Sequence, residues 1–247
     1  HRGLGMELPR TDLPFLLWVL LGGTSQILAT AALLASFKQR NFAVGTALSK
    51  SEVVQAALFA LLFLGEGVTA LGVAAIVLAT FGVMLMVLDK GQLGVRGLLL
   101  GLKGRAALLG LASGGLFAIS SVSFRAAALQ TGHDSFLMAA GWTLLASVLL
   151  QTLLLGVWLS WREDGELTRV FASWRLPGLV GIKGVLGSAC WFTAMTSQQE
   201  AYVRTLGMIE LVFTFLVSTL VFRERHSARE TLGILLLVGG ILLVLNR

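Results

Sequence analysis

The chain has 247 residues, of which 56% are hydrophobic and only 13% are charged. Its mean hydropathy of +0.85 excludes an ordinary water-soluble domain, because such a composition would expose large apolar patches to water. The 19 basic side chains outnumber the 13 acidic ones, but they lie mostly in short connections between apolar runs, which is typical of membrane topology and not of nucleic-acid binding.

Eight apolar windows are each long enough to cross a bilayer as a helix, because a hydrocarbon core about 30 Å thick requires about 20 helical residues. No run shows the alternating polarity over about ten residues that is typical of a transmembrane barrel. We therefore predict an all-α polytopic membrane protein with eight transmembrane helices. In chain order the predicted helices are Leu13 to Phe37, Phe42 to Leu64, Thr69 to Leu88, Ala106 to Leu129, Phe136 to Leu159, Gly178 to Thr196, Ala201 to Phe222 and Thr231 to Leu245.

The chain contains an internal repeat. A shift of 158 residues aligns residues 41–88 with residues 199–246, and 12 of the 48 aligned positions are identical. Only nine Glu occur in the chain, yet two pairs of them coincide in this alignment. These pairs are Glu52 with Glu210 and Glu66 with Glu224. The predicted second and seventh helices then correspond, and an odd offset of five spans turns the second copy upside down, which predicts an inverted-topology repeat.

Each copy contains an apolar helix that ends in LGE or a related sequence, a tight turn, and a second apolar helix with a glycine in its middle. The two copies read ALFALLFLGEGVTALGVAAIVLATFGVMLMVL and VFTFLVSTLVFRERHSARETLGILLLVGGILLVL. This pattern resembles the EamA type of the drug/metabolite transporter superfamily. The resemblance implies ten helices in two inverted sets of five, with a substrate path between the sets.

Compared with that ten-helix pattern, the chain is expected to lack the first two helices. We assign residues 1–100 to a first, truncated repeat of three helices, and residues 101–247 to a second repeat of five helices. The start at His1 rather than Met agrees with the expectation of a fragment. The family often has a proline where this chain has Val53 and Leu211, so we expect straighter helices here, and the role of a helix break is left open.

Glu66 and Glu224 each follow one apolar helix and precede the next. At such a position a carboxylate can accept hydrogen bonds from free N–H groups and meets the positive end of a helix dipole. We expect both residues to be structural caps of a helical hairpin, and a direct role in transport is the alternative interpretation.

Glu52 and Glu210 each lie about ten residues into a predicted span, about 15 Å deep and near the middle of the bilayer. A charge at this depth costs several kcal/mol unless it faces a cavity or a partner. We expect both residues to line a substrate or proton site between the repeats, and a buried ion pair or hydrogen bond is the alternative. Lys50 is not expected to pair with Glu52, because positions i and i+2 face different sides of a helix.

Four other residues complete the predicted substrate-binding set: Lys50, Lys183, Arg204 and Trp191. Lys183 and Arg204, like Arg125, lie closer to the ends of their spans and could instead snorkel to the membrane surface. In the sixth predicted helix, glycines recur at every third position before Trp191, which indicates close helix packing or the wall of a cavity. The mixture of internal charges favours a zwitterionic or anionic substrate over a purely cationic one.

Catalytic motifs are absent from the sequence, which has no HExxH, GxSxG, Walker or dinucleotide-binding motif. The single cysteine, Cys190, cannot form an internal disulfide. We therefore expect neither an enzyme nor a metal site, and neither an organic cofactor nor a nucleic-acid partner.

These features together predict a secondary transporter that moves a small metabolite or drug-like molecule across the membrane by alternating access, with proton coupling as one option and efflux as one direction. A non-transporting accessory or assembly subunit is an alternative. An intramembrane lipid-modifying enzyme is a weaker alternative, because the sequence offers no clustered nucleophile, base or metal set. The expected partners are a small-molecule substrate and the lipid bilayer, homodimer formation is left open, and the expected location is the bacterial inner membrane.

The distribution of basic side chains predicts the orientation in the membrane. Connections on one side hold twelve Lys or Arg and those on the other side hold three, so the positive-inside rule puts the RERHSARE turn in the cytoplasm and both chain ends outside. The EamA family is more often drawn with both termini in the cytoplasm. A single cysteine at Ser227, in a Cys190→Ser background, should react slowly with an impermeant thiol reagent in intact cells, and rapid labelling would overturn the orientation.

Overall fold

The structure, a computed structural model, describes residues 8–39, 42–90, 104–162, 165–172, 174–223 and 226–246. In this part of the chain every regular element is an α-helix. Numbered in chain order, the helices are α1 (Leu13–Phe37), α2 (Phe42–Ser49), α3 (Glu52–Leu64), α4 (Ala70–Lys90), α5 (Arg105–Gln130), α6 (Phe136–Arg162), α7 (Glu166–Ala172), α8 (Arg175–Ser197), α9 (Glu200–Gly207), α10 (Ile209–Leu220) and α11 (Ala228–Leu245).

Eight helical segments in the described residues are long and apolar enough to cross a membrane. Each of them overlaps one predicted window and begins and ends within a few residues of it. The fourth, for example, is Arg105–Gln130 against a prediction of Ala106 to Leu129. The predicted all-α fold with eight transmembrane helices is thereby confirmed. Continuous apolar sequence explains the agreement, because a helix satisfies its backbone hydrogen bonds internally where no water is present.

The second and seventh spans are each divided into two helices. Helix α2 ends at Ser49 and α3 begins at Glu52, whereas α9 ends at Gly207 and α10 begins at Ile209. The two breaks occupy equivalent positions, because a shift of 158 residues aligns Ser51 with Ile209. The α-helix is thus interrupted at both positions even without a proline, whereas the straighter course expected for these spans stays a prediction.

Both breaks are short 3₁₀ turns, in which an amide bonds to the carbonyl three residues earlier. The Ser51 N–H donates to Leu48 O at 3.1 Å, and the Met208 N–H donates to Thr205 O at 3.3 Å. The Ser51 hydroxyl also donates to Leu48 O at 2.6 Å, and the Thr205 hydroxyl donates to Ala201 O at 2.7 Å. Side-chain hydroxyls that bond back to the helix compete with the regular backbone ladder, so neither break requires a proline.

The chain falls into two compact units. The first comprises His1–Thr24 and Ser123–Gln198, and the second comprises Ser25–Val122 and Gln199–Arg247. Each unit takes residues from both predicted repeats, so the units are not the repeats. The predicted repeat boundary at residue 100 lies outside the described residues, and the division into two repeats stays a prediction.

In the first unit, the start of α1 is fixed on the end of α5. Phe15 and Val19 are buried against Ala127. The Asp12 carboxylate accepts from the Phe15 N–H at 3.0 Å and from the Gln130 side chain at 3.2 Å. These two hydrogen bonds, the one from the Phe15 amide above all, hold the pKa of the Asp12 carboxyl below its usual value.

Arg125 lies in α5 and is buried, with 7% of its surface exposed. Its Nη1 donates to the carbonyl oxygens of Met195 and Gln198, and at 3.4 Å to that of Thr196. The last carbonyl groups of a helix have no donor within the helix, so this guanidinium caps the C-terminal end of α8 and meets its negative dipole end. The snorkelling interpretation of Arg125 is therefore wrong.

In the second unit, α4 and α11 approach so closely that glycine is required at the contact. A Cβ atom on Gly82 would lie 2.5 Å from Gly233 O, and one on Gly240 would lie 2.7 Å from Ala75 O. Larger side chains would force the two helices apart. Gly82 and Gly240 coincide in the repeat alignment, so the glycines in the middle of both copies serve this contact.

The two hairpin turns end their helices in different ways. After α3, Gly65 takes a left-handed backbone with φ of 68°, and its N–H donates to Leu61 O at 3.1 Å. Before α11, the Ser227 hydroxyl accepts from the Glu230 N–H at 3.1 Å, and the Glu230 carboxylate accepts from the Ser227 N–H at 3.3 Å, which forms a capping box. A cysteine at Ser227 would remove this cap, so the exposed Ala228 is the better labelling position.

Replacement of Arg125 by Ala should lower the stability of the first unit, because carbonyl groups at the end of α8 lose a charged donor inside the membrane. We expect the free energy of unfolding to fall by about 1–3 kcal/mol. The loss should be smaller for Arg125→Lys, because an ammonium can still donate a hydrogen bond to these carbonyl groups. Thermal unfolding in detergent measures the change. Arg162→Ala at the exposed end of α6 is the matched control, and an equal melting temperature for Arg125→Ala and the wild type would contradict the capping role.

Candidate functional site

Three charged side chains meet in the second unit at the break of the second span. The Arg204 guanidinium contacts two carboxylates: Nη1 lies 2.6 Å from Glu52 Oε1, and Nε donates to Glu200 Oε1 at 2.8 Å. The side chains of Arg204 and Glu52 are 21% and 18% exposed, whereas that of Glu200 is completely buried. One guanidinium therefore holds two carboxylates and connects α9 with α3. We call these three residues the charge cluster.

The broken spans determine where the two aligned glutamates lie. Glu52 is the first residue of α3 and Glu210 is the second residue of α10, so both occupy the first turn after a 3₁₀ break. The free N–H groups of such a turn carry partial positive charge, which favours a carboxylate there. Glu210 is exposed on the second unit. The ion-pair partner of Glu52 is Arg204.

Small residues of α5 leave room beside the break of the second span. A Cβ atom on Gly114 would lie 2.8 Å from Ser49 O, and one on Gly115 would lie 2.7 Å from Gln55 Oε1. The Gln55 amide donates to Ser51 Oγ at 2.8 Å. Glycine in α5 therefore allows the broken backbone and a polar side chain of the second span to lie directly against this helix.

Tyr202, which is 2% exposed, ties the start of α9 to the first hairpin turn. Its hydroxyl accepts from the Thr69 N–H at 3.3 Å, and the Thr69 hydroxyl accepts from the Gly72 N–H at 3.1 Å at the start of α4. Gly72 leaves the space for the ring, since a Cβ atom there would lie 2.5 Å from the Tyr202 hydroxyl. The helix that carries Arg204 is thereby fixed two residues before Arg204.

Comparison with known proteins identifies the family. The model of the EamA-like transporter family matches residues 104–246, which is more than half of the chain. The chain belongs to this family. The EamA-like chain is accordingly an integral membrane protein of a transporter family, in agreement with its eight apolar helices.

One solved crystal structure shares the fold. It aligns over 98% of the EamA-like chain and 78% of its own chain, with a TM-score of 0.65 and 19% sequence identity. At this identity the likeness shows the fold alone. No curated protein sequence matches the chain.

Two of the predicted substrate-binding residues, Lys183 and Trp191, lie in α8, which belongs to the first unit of the EamA-like chain, whereas the charge cluster belongs to the second. Lys183 is exposed and Trp191 is half-buried. No described atom lies within 4 Å of a Cβ atom added at Gly181, Gly184 or Gly187. A close helix contact at these three glycines is therefore not made within the part of the chain that the structure describes.

Glu200 lies outside the predicted seventh window, which begins at Ala201, although the structure buries its side chain completely. A charge at the edge of an apolar window reads as part of the polar connection, although charges within the same window, Arg204 and Glu210, were included. The spacing of i and i+4 between Glu200 and Arg204 is the sequence signal that identifies this pair.

Only one of the two predicted caps lies within the described residues. Glu66 lies in the turn between α3 and α4, where its N–H donates to Ala60 O at 3.2 Å, whereas Glu224 lies outside the described residues. The capping roles of both carboxylates stay predictions. Over the described ranges, no group of three or more His, Cys, Asp or Glu side chains is arranged to hold a metal ion.

Removal of Arg204 tests the coupling within the charge cluster. Arg204→Gln leaves the carboxylates of Glu52 and Glu200 without their shared cation, and we expect the free energy of unfolding to fall by about 2–4 kcal/mol. The double variant Arg204→Gln/Glu200→Gln no longer contains the buried carboxylate and should recover about half of this loss. Thermal unfolding of the wild type, both single variants and the double variant gives the coupling energy. Strictly additive effects would contradict a direct interaction of the two residues.

Proposed function

We propose that the EamA-like chain is a secondary transporter that moves a small metabolite or drug-like molecule across a bacterial inner membrane by alternating access. The observation that carries the proposal is the pair of broken spans, each with a glutamate in the first turn after its break. Discontinuous helices with charged groups near the middle of the bilayer are typical of secondary transporters, whose half-helix ends bind substrate and coupling ions. A helix that serves only as scaffold has no need of either feature.

The predicted inverted repeat supports a shared site for the two glutamates. Glu52 and Glu210 are equivalent in the alignment, so a pseudo-two-fold axis in the membrane plane would relate them at the same depth on two walls of one cavity. Arg204 supports this site because it contacts Glu52, and we assign Lys50 to it on its position in the sequence two residues before Glu52. Alternating access would expose the two carboxylates to opposite sides of the membrane in turn.

Lys183 and Trp191 are assigned to the substrate path as well. Lys183 is exposed, and three glycines of the same helix leave open space. A cation and an aromatic ring on an open helix face can contact a passing molecule. Their contribution should be smaller than that of Glu52, since neither belongs to the charge cluster.

Proton coupling is part of the proposal. Glu52 and Glu200 share one guanidinium, so uptake of a single proton would neutralise the charge cluster. A transporter can use such a change to lower the electrostatic free energy of the return step, in which no substrate is bound, relative to that of the step that carries substrate. A non-transporting accessory subunit is the second candidate, but it would not require charges at these positions.

Replacement of either aligned glutamate tests the proposal. Glu52→Gln and Glu210→Gln should each reduce transport at least about tenfold, which corresponds to about 1.4 kcal/mol, because Gln keeps the volume and most hydrogen bonds but removes the charge. Glu66→Gln is the matched control and should lose less. Substrates are found by a thermal-shift screen of amino acids, nucleosides and other metabolites, and flux is measured in proteoliposomes near pH 6 and pH 8.

Two results would count against the proposal in different ways. Normal flux of both Gln variants at both pH values would remove the site assignment. Absence of flux by the wild-type protein for every compound that stabilises it would instead favour the accessory subunit.

A further inference from the structure

Tryptophan side chains are exposed at both ends of the connection between α6 and α8. Trp161 belongs to the last turn of α6 and is 87% exposed, and Trp174 directly precedes α8 and is 65% exposed. The indole ring combines a large apolar surface with one N–H donor, so it is most stable where apolar and polar surroundings meet. We call residues 161–175 the connecting segment.

Trp161 continues an exposed apolar stripe of α6. Leu149, Leu153 and Val157 are each more than half exposed, and Trp161 follows them at the same spacing of four residues. This spacing places the four side chains on one side of the helix. Helix α6 is long and apolar enough to cross the membrane, so a side that the described residues leave uncovered faces lipid. Trp161 therefore lies at the end of a lipid-facing stripe, where the hydrocarbon core meets the headgroups.

Trp174 occupies the corresponding place at the start of α8. Its ring packs over the first turn of this helix, since a Cβ atom on Gly178 would lie 3.7 Å from Trp174 Cε3. Ile182 and Leu186, which follow at multiples of the same spacing, are also more than half exposed. Helices α6 and α8 pack against each other. Because one short connection joins these two spans, the two tryptophans lie at the same surface of the membrane.

Helix α7 lies between the two tryptophans and has an amphipathic sequence. Its apolar residues Leu167, Val170 and Phe171 recur at i, i+3 and i+4, which is the pattern of a helix with one apolar side. Val170 is 46% exposed, so the described part of the chain leaves apolar surface of α7 uncovered. Thr168 and Arg169 are exposed as well. A short helix of this pattern that is attached at both ends to membrane spans fits the membrane surface, with its apolar side towards the acyl chains.

The formal charge of the connecting segment is balanced, because it contains three basic and three acidic residues. These residues are Arg162, Arg169 and Arg175, and Glu163, Asp164 and Glu166. A segment without net positive charge lacks the attraction to anionic headgroups that a polybasic segment has. Contact with the bilayer then depends on the apolar and aromatic side chains.

We propose that the connecting segment is an interfacial anchor that binds the headgroup region of the bilayer, with α7 parallel to the membrane plane and Trp161 and Trp174 at its two ends. The partner is the lipid surface itself, whatever the charge of its headgroups. Each indole ring then lies among the upper acyl chains, with its N–H near headgroup oxygens. The anchor fixes the depth at which α8 begins, and this helix carries Lys183 and Trp191.

Two cysteine variants test the orientation of α7. Thr168→Cys and Val170→Cys, each in a Cys190→Ser background, are placed in nanodiscs as the whole chain and treated with an impermeant thiol reagent. The protein leaves both positions exposed, so they should react at similar rates if no membrane covers them. We expect Val170→Cys to react at least about tenfold more slowly, because its side chain lies about 5–10 Å below the membrane surface. Equal rates in the two folded variants would overturn the inference.

Quenching of tryptophan fluorescence measures the depth of the two ends. The chain has six tryptophans, and two variants retain only Trp161 or only Trp174, with Phe at the other positions. The nanodisc lipids carry bromine either near the headgroup or near the end of the acyl chain. Shallow bromine should quench each retained tryptophan at least about twofold more strongly than deep bromine.

Leu153→Trp in the tryptophan-free background is the matched control. Position 153 lies on the same stripe as Trp161 and about 12 Å further along α6, so deep bromine should be the stronger quencher there. The result for Trp161 and Trp174 should not change when phosphatidylglycerol replaces part of the phosphatidylcholine. Quenching by shallow bromine that occurs only with phosphatidylglycerol would assign the contact to charge and overturn the inference.

Two other outcomes would contradict the anchor. Strong quenching by acrylamide from the water, with none by either lipid, would place the connecting segment outside the bilayer. Protection of both tryptophans from acrylamide and from both lipids would show that protein covers them, such as a second copy of the chain.

A simpler pair of variants serves should the tryptophan-free background fail to fold. Trp161→Phe and Trp174→Phe, each in the otherwise unchanged chain, should reduce the part of the fluorescence that shallow bromine quenches. No reduction in either variant would overturn the inference as well.

Discussion

The contact of Arg204 with two carboxylates is the interaction on which the second unit depends. A guanidinium stays charged in any environment, so within a bilayer it requires negative partners, backbone carbonyl groups or water. Glu200 supplies one partner from the same helix, and Glu52 supplies the other from α3. Because the two partners belong to different helices, the charge of one residue specifies how α9 and α3 meet. The break before α3 then brings Glu52 into reach of that charge.

The spans were predictable because their physical cause is local. A run of apolar residues of sufficient length forms a transmembrane helix whatever its neighbours are. The breaks were not predictable by the same logic, since the windows around Ser51 and Met208 contain no proline and differ in side chains. What they share is a hydroxyl that bonds back to the helix within one turn, and such bonds occur in unbroken helices as well. Glu200 escaped prediction because a charge at the edge of an apolar window looks like part of the polar connection, whether that charge is solvated or buried.

The sequence also does not distinguish glycines at a close helix contact from glycines that face open space. Gly82 and Gly240 lie where two helix backbones nearly touch, whereas Gly181 and Gly184 face open space within the first unit. Both patterns look alike in a sequence, because small residues permit close approach but do not create the partner that approaches. The internal repeat singled out Gly82 and Gly240, because glycines at equivalent positions of two copies are expected to serve the same helix contact. No second copy supplies such a check for the glycines of α8.

The cap that Arg125 forms on α8 also has a consequence for membrane insertion, because its donor and its acceptors are synthesised at different times. Arg125 belongs to the fourth span, and the carbonyl groups that it binds, of Met195 and Gln198, belong to the end of the sixth. A chain that enters the bilayer from its N-terminus therefore presents the cation before these acceptors have been synthesised. A guanidinium without them stays near water, at the membrane surface or in the insertion machinery. The contacts that bury Arg125 are therefore completed only when the end of the sixth helix has arrived.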